Sequence, residues 1–298
     1  MKYLTPIGAL ATMLSAGSLL HAEILVKAGD KVAFLGDSIT EGGQNSPGGY
    51  VQLVGSGLAA NGVNIQIVGA GISGHKSNDM LKRLDRDVLS KQPQWMTLSC
   101  GVNDVWHGAN GVPLEDYKKN ITAIVDQAQA AGVKVVILTS TMIGEDQPNP
   151  NNQKLASYNA FLRTLATEKN CRFADLNAEM QAAIAEAAKT RPKPGNYLTT
   201  DGVHMAFAGN QMMAVGVLKG LGLDAAEVAK ASNAWLDIPD TTQVSSRMGL
   251  TLRQANQLDK LAAERKVSVD SLVNEQFSKA VQALLKTELR DSSGRKIW

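Results

Sequence analysis

A serine on the turn between an apolar strand and a helix is displayed where an α/β fold offers a nucleophile. The stretch Gly36-Asp37-Ser38-Ile39-Thr40 has that form, directly after the apolar run Val32-Ala33-Phe34-Leu35. Serine also caps helices, so the turn means chemistry only if partners exist. A hydroxyl is a weak nucleophile at neutral pH. It needs a base within hydrogen-bond reach and a carboxylate to orient that base. Asp201-Gly202-Val203-His204 puts Asp and His three residues apart on one loop. Of the four histidines, His21 falls in an N-terminal segment expected to be removed. Among His75, His107 and His204, the last has an Asp at this close upstream spacing. Acyl transfer also needs N–H donors aimed at the developing oxyanion. Gly74, in Gly71-Ile72-Ser73-Gly74, offers a backbone N–H, and Asn103, in Gly101-Val102-Asn103-Asp104, offers a side-chain amide. Each alone reads equally well as an ordinary turn. His75 and His107 beside His204 would suit a zinc site, but their spacing matches no metal motif and the serine chemistry needs no metal. We therefore expect no metal and no other cofactor.

These residues need elements to hold them. From Lys31 to Leu221 short apolar runs alternate with longer helical stretches. The runs are Val32–Leu35, Ile65–Val68, Trp95–Leu98, Val135–Leu138 and Phe173–Leu176, two of them continuously apolar. Such runs predict strands of a parallel sheet covered on both faces. Leu114 to Ala131 predicts a helix with Leu114, Tyr117, Ile121, Ile124, Val125 and Ala128 on one face, ended by Gly132. The alternation predicts an α/β sandwich, whose ligands bind at the carboxyl ends of the strands. All four signals fall at those ends or in the loops beyond. Gln147–Asn152 and Arg191–Asn196 are Pro-rich loops placed to rim a site. Gly144 to Asn152 is polar and a poor wall for a long acyl chain.

Composition sets the outer bounds. The chain has 298 residues, 44% hydrophobic and 19% charged, ordinary for a globular protein able to bury a large core. A net charge of +2 argues against nucleic acid as a partner. Residues 1–22 read as an export signal: an early Lys2, an apolar stretch from Leu4 to Leu20, and Ala22 at the cut. Gly8, Ser15, Gly17 and Ser18 interrupt that stretch, so after cleavage no membrane span is expected. This places the protein in the periplasm or outside the cell. Export permits disulfides, but the two cysteines, Cys100 and Cys171, sit on runs separated by a third, and both read as buried, unbridged thiols. Ser232 to Val244 reads as a loop. Beyond it, Thr251 and Gln254 form a capping box for one helix. Ser268 starts a second, with Leu272, Val273, Phe277, Val281, Leu284 and Leu285 on one face. Residues 233–298 hold 10 Lys+Arg and 8 Asp+Glu, too balanced for a DNA clamp. We expect a helical extension over 232–298, packing on a main domain of 23–231 or joining copies into a homo-oligomer.

Four blocks in one order, Gly36-Asp37-Ser38, Gly74, Gly101-Val102-Asn103-Asp104 and Asp201-Gly202-Val203-His204, resemble those of the SGNH hydrolases, also called the GDSL family. The resemblance covers about residues 30 to 222. It implies a flavodoxin-like three-layer sandwich with a five-stranded parallel sheet and a shallow, open site. It implies Ser38 as nucleophile, His204 as base and Asp201 as its orienting acid. Ser38, Gly74 and Asn103 would form the oxyanion hole, and carboxylic esters or thioesters would be hydrolysed without a metal. Trp106-His107 after Asn103, and Pro194-Gly195-Asn196 before the last block, are similar to exported bacterial members resembling carbohydrate acetylesterases. Trp106 would then stack on a sugar ring, with His107 beside it, or else pack under its loop. The expected function is hydrolysis of short acyl esters, acetyl foremost, on carbohydrate. The alternatives are a general short-chain carboxylesterase, thioesterase or lysophospholipase acting on another small ester. A binding protein on the same fold, or an assembly protein driven by its tail, are the non-enzymatic readings.

Overall fold

The computed structural model describes residues 23–190, 195–239 and 249–288. The expected export signal, 1–22, lies outside the described residues. The chain runs β1 (Lys31–Gly36), α1 (Ser38–Asn45), α2 (Tyr50–Ala60), β2 (Gln66–Gly71), α3 (Ser77–Asp87), β3 (Trp95–Ser99), α4 (Val102–Trp106) and α5 (Leu114–Ala130). It continues through β4 (Lys134–Leu138), α6 (Pro150–Glu168), β5 (Arg172–Ala174), α7 (Leu176–Thr190), α8 (Phe207–Gly220), α9 (Ala225–Ala234), α10 (Leu252–Arg265) and α11 (Val269–Glu288).

The five strands form one parallel sheet in the order β2-β1-β3-β4-β5. Strands β1, β3 and β4 are buried on both pleat faces because helices cover both. Phe34, Leu35, Met96, Leu98, Val136 and Ile137 are all buried. Helices α3 and α5, with α6 beside α5, pack on one another, and α2 packs against α8 and α9 with α7 beside α8. These are the two helical layers of a three-layer sandwich. The buried stripe of α5 is Tyr117, Ile121, Ile124, Val125 and Ala128, as its spacing predicts. The order of strands reverses between β1 and β3, and such a switch point opens a crevice at the strands' carboxyl ends.

Three local readings need correction. Pro150 to Asn152 are the first turn of α6, not loop. Asn149 caps that helix by accepting from the Asn151 N–H at 2.9 Å. Proline at the first helical position has no N–H to lose there. Cys171 is only half-buried, whereas Cys100 is buried, and the two are unbridged. The chain divides into compact units 1–243 and 244–298, not at 231/232. Ser232 to Ala234 continue α9, and Trp235–Asp237 form a 3-10 turn. The Trp235 ring is 1% exposed, and its indole N–H donates to the Leu53 carbonyl at 3.0 Å.

In the second unit α10 and α11 pack on each other. Thr251 and Gln254 form the expected capping box, and the Ser268 hydroxyl accepts from the Ser271 N–H at 3.0 Å. Ala262 and Leu272 are buried, while Leu252, Leu261 and Leu285 are exposed.

Candidate active site

Gly36 ends β1 and Ser38 opens α1, so the serine stands at the carboxyl edge of the sheet's central region. Helix α1 crosses the strand end so closely that a Cβ on Gly36 would lie 1.9 Å from the Thr40 hydroxyl oxygen. Glycine is required there by space. Asp37 caps the helix, its carboxylate accepting from the Ile39 N–H at 3.0 Å. The Ser38 N–H, at the first helical position, has no acceptor among the described residues and is free for a substrate oxygen.

The loop before α8 brings in the base. His204 Nε2 lies 2.9 Å from Ser38 Oγ, and His204 Nδ1 lies 2.6 Å from Asp201 Oδ2. A carboxylate can only accept, so Nδ1 carries the proton and Nε2 is left to take one from serine. Asp201 Oδ1 also accepts the backbone N–H of Val203 at 2.9 Å and of His204 at 2.8 Å. Partial burial pushes the Asp201 carboxyl upward, but the hydrogen bonds from His204 and the two backbone groups outweigh it and hold the pKa at about 2. It is therefore a carboxylate wherever histidine can act as a base. The Asp201 and His204 side chains are 50% and 40% exposed, which makes the site open.

The two other expected donors lie just beyond β2 and β3, the two strands that flank β1. Ile72 N–H donates to Gly36 O at 3.2 Å, which lays the loop after β2 beside the end of β1. Gly74 takes φ +76°, a left-handed conformation, and a Cβ there would meet nothing within 4 Å. Its glycine is thus demanded by backbone conformation rather than space. The Gly74 N–H has no acceptor among the described residues. Asn103 lies in the first turn of α4, after β3, and its amide donates one N–H to the His75 carbonyl at 3.1 Å. That bond fixes the amide plane and commits one of its two N–H groups.

Several residues around the site are marked by no motif in the sequence. Arg83 is buried and donates to Gly36 O at 2.8 Å, Ala70 O at 2.9 Å and His75 Nδ1 at 3.0 Å. It ties the ends of β1 and β2 to the loop holding Gly74. The signal was a charge between Met80 and Leu84 on the buried face of α3. Asp104 is buried beside Asn103 and accepts the Ser77 N–H at 3.0 Å and its hydroxyl at 2.6 Å, anchoring α3 to α4. Burial pushes the Asp37 carboxyl up to about 6, against the Ile39 hydrogen bond and with the Asp104 charge adding to the rise. His75 Nδ1 accepts from Arg83, and His107 lies beside Trp106. Among the described residues no three His, Cys, Asp or Glu side chains are grouped to hold a metal ion. Trp106 is 44% exposed, so it does not pack under its loop.

A serine, a histidine and an aspartate joined in series by hydrogen bonds at the switch point of a five-stranded parallel sheet have the arrangement a serine hydrolase uses. Residues 34–212 match the family of GDSL-like lipases and acylhydrolases. The chain belongs to that family and is a carboxylic ester hydrolase. An acetylxylan esterase of Geobacillus stearothermophilus is 28% identical over 218 residues, 67% of this chain and 97% of that protein. The crystal structure of that esterase, Axe2, superposes with a TM-score of 0.59 at 27% identity, over the same shares of the two chains. The acetyl xylan esterase AlAXEase is 34% identical over 63% of this chain and 98% of its own, again at a TM-score of 0.59. An uncharacterized lipoprotein of Bacillus subtilis, YqeF, is 30% identical over 39% of this chain and 50% of its own.

Proposed function

We propose that this enzyme removes short acyl groups, acetyl foremost, from carbohydrate through an acyl-enzyme on Ser38. The observation that carries the mechanism is the contact of His204 Nε2 with Ser38 Oγ at 2.9 Å, with Asp201 behind the ring. His204 takes the serine proton as Oγ attacks the ester carbonyl. The oxyanion that forms is stabilised by the N–H groups of Ser38 and Gly74 and by the Asn103 amide. His204 then gives the proton to the departing sugar hydroxyl. Water, activated by the same histidine, releases the acid and restores Ser38.

Likeness to two acetylxylan esterases over about two thirds of the chain supports acetyl and sugar as the two halves of the ester. The open dyad suits a bulky alcohol side. The half-exposed Trp106, on the helix that carries Asn103, offers an apolar ring face to a sugar. Export, read from residues 1–22, would bring the enzyme to polysaccharide, and the likeness to a lipoprotein fits an exported protein. No helix among the described residues is long and apolar enough to cross a membrane.

A panel of p-nitrophenyl esters from two to eight carbons, thioesters and lysophospholipid tests this choice. We expect the two-carbon ester to be turned over fastest. A preference for the longest chain or for lysophospholipid would move the enzyme to the general esterase reading.

A further inference from the structure

Asp201 and His204 are about half exposed, so packing of their side chains does not fix them. What holds the dyad is then the backbone that bears it, and one carboxylate gathers several of that backbone's N–H groups. The Glu145 carboxylate, on the loop between β4 and α6, accepts three successive backbone N–H groups. They are Tyr197 at 2.6 Å, Leu198 at 2.7 Å and Thr199 at 2.6 Å. It also accepts the Thr199 hydroxyl at 2.7 Å. The same hydroxyl oxygen accepts the Gly202 N–H at 3.1 Å, and the Gly144 N–H donates to Gly202 O at 2.7 Å. The chain of contacts therefore runs from Glu145 through Thr199 to Gly202, which lies between Asp201 and His204. Beyond it, Thr200 N–H donates to His204 O at 2.8 Å, and Thr199 bridges Met205. Charged acceptors make hydrogen bonds roughly twice as strong as neutral ones.

We propose that Glu145 is a positioning residue for this reaction: it sets the loop that holds Asp201 and His204 against Ser38. This rests on the serine mechanism above. Glu145 touches neither substrate nor the reacting atoms in it, and it acts through Thr199 and Gly202. A Gln in its place keeps one acceptor oxygen and turns an N–H₂ toward a donor. An Ala leaves all four donors without the carboxylate.

The test measures kcat and KM on p-nitrophenyl acetate, thermal unfolding, and the proton resonance of His204 Nδ1–H, which lies far downfield while it donates to Asp201. Displacement of reacting groups by about 1 Å costs on the order of 10²-fold in rate. We expect E145A to lower kcat by about 10²-fold and E145Q by about tenfold, with KM changed less than about threefold. The downfield resonance should broaden or vanish while the variants stay folded. Thr199→Val should lower kcat in the wild type and add little on top of E145A, since both cut one chain of contacts. The proposal is overturned if E145A keeps kcat within about twofold with its resonance intact. It is equally overturned if lost rate only tracks lost folded fraction, the folded remainder keeping the resonance. If instead Ser38→Ala retains turnover, it is the serine mechanism that fails, and these two results separate the failures.

Discussion

The Ser38 hydroxyl is not nucleophilic by itself, and each neighbour supplies one missing property. In the proposed mechanism His204 supplies the base, Asp201 the tautomer, and Asn103 part of the field that receives the oxyanion. Because one N–H of Asn103 is committed to His75 O, the amide is oriented before substrate arrives. Asn103→Ala should therefore lower kcat by roughly 10²–10³ with little effect on KM. Steady-state kinetics on the two-carbon ester checks this, and a change confined to KM would remove Asn103 from the oxyanion hole. Asp37 beneath the serine leads to a different measurement. Its folded pKa of about 6 stands above the 3.8 of an exposed Asp. The folded state thus binds more protons than the unfolded state between those values, and stability from this group falls as pH rises through that window. Asn at this position can still accept from Ile39 but carries no charge. Asp37→Asn should gain most over the wild type near pH 7.5, with the gain shrinking toward pH 4. Denaturant midpoints at several pH values read this directly, and a gain that grows on acidification would contradict it.

Elements place these residues, and their legibility differed with the kind of interaction that makes them. Strands β1 and β4 were readable because burial on both faces leaves an apolar run. Helix α5 was readable because one face is buried and the other wet. The candidate site residues were visible because each sits on a short local motif: Ser38, Gly74 and Asn103 just beyond strand ends, Asp201 and His204 together on the loop before α8. Arg83, Asp104 and Glu145 were not, because their roles depend on partners far along the chain: Gly36 for Arg83, Ser77 for Asp104, Tyr197–Thr199 for Glu145. Glu145 in particular looked like one more polar residue in a polar loop. Trp235 was missed for a related reason. Its segment is short and mixed in polarity, yet the ring is buried in the first unit with its N–H on Leu53 O. The boundary at 231/232 would thus cut the core. Truncation after Ala231 should lower stability by about 3–5 kcal/mol for the loss of the Trp235 ring, whereas truncation after Gln243 should leave thermal unfolding of the first unit intact. Equal unfolding of the two truncations would return the boundary to 231/232.

At the scale of the molecule, the enzyme is a first unit that holds every residue of the candidate site and a second unit of two paired helices. The second unit buries Ala262 and Leu272 but leaves Leu252, Leu261 and Leu285 exposed. Two helices alone make a small core, and joining copies is one way such a pair covers its apolar residues. We expect the full chain to sediment as an oligomer and the chain ended at Gln243 to sediment as a monomer with unchanged kcat/KM. An unchanged assembly state after truncation would remove the tail from self-association. The central claim is tested most directly by acetate release from acetylated xylan and other acetylated glycans, comparing the wild type with Ser38→Ala. The account predicts acetate from the wild type and none from the variant. Acetate released equally by both would contradict the serine mechanism, and release by neither would contradict acetylated carbohydrate as the substrate.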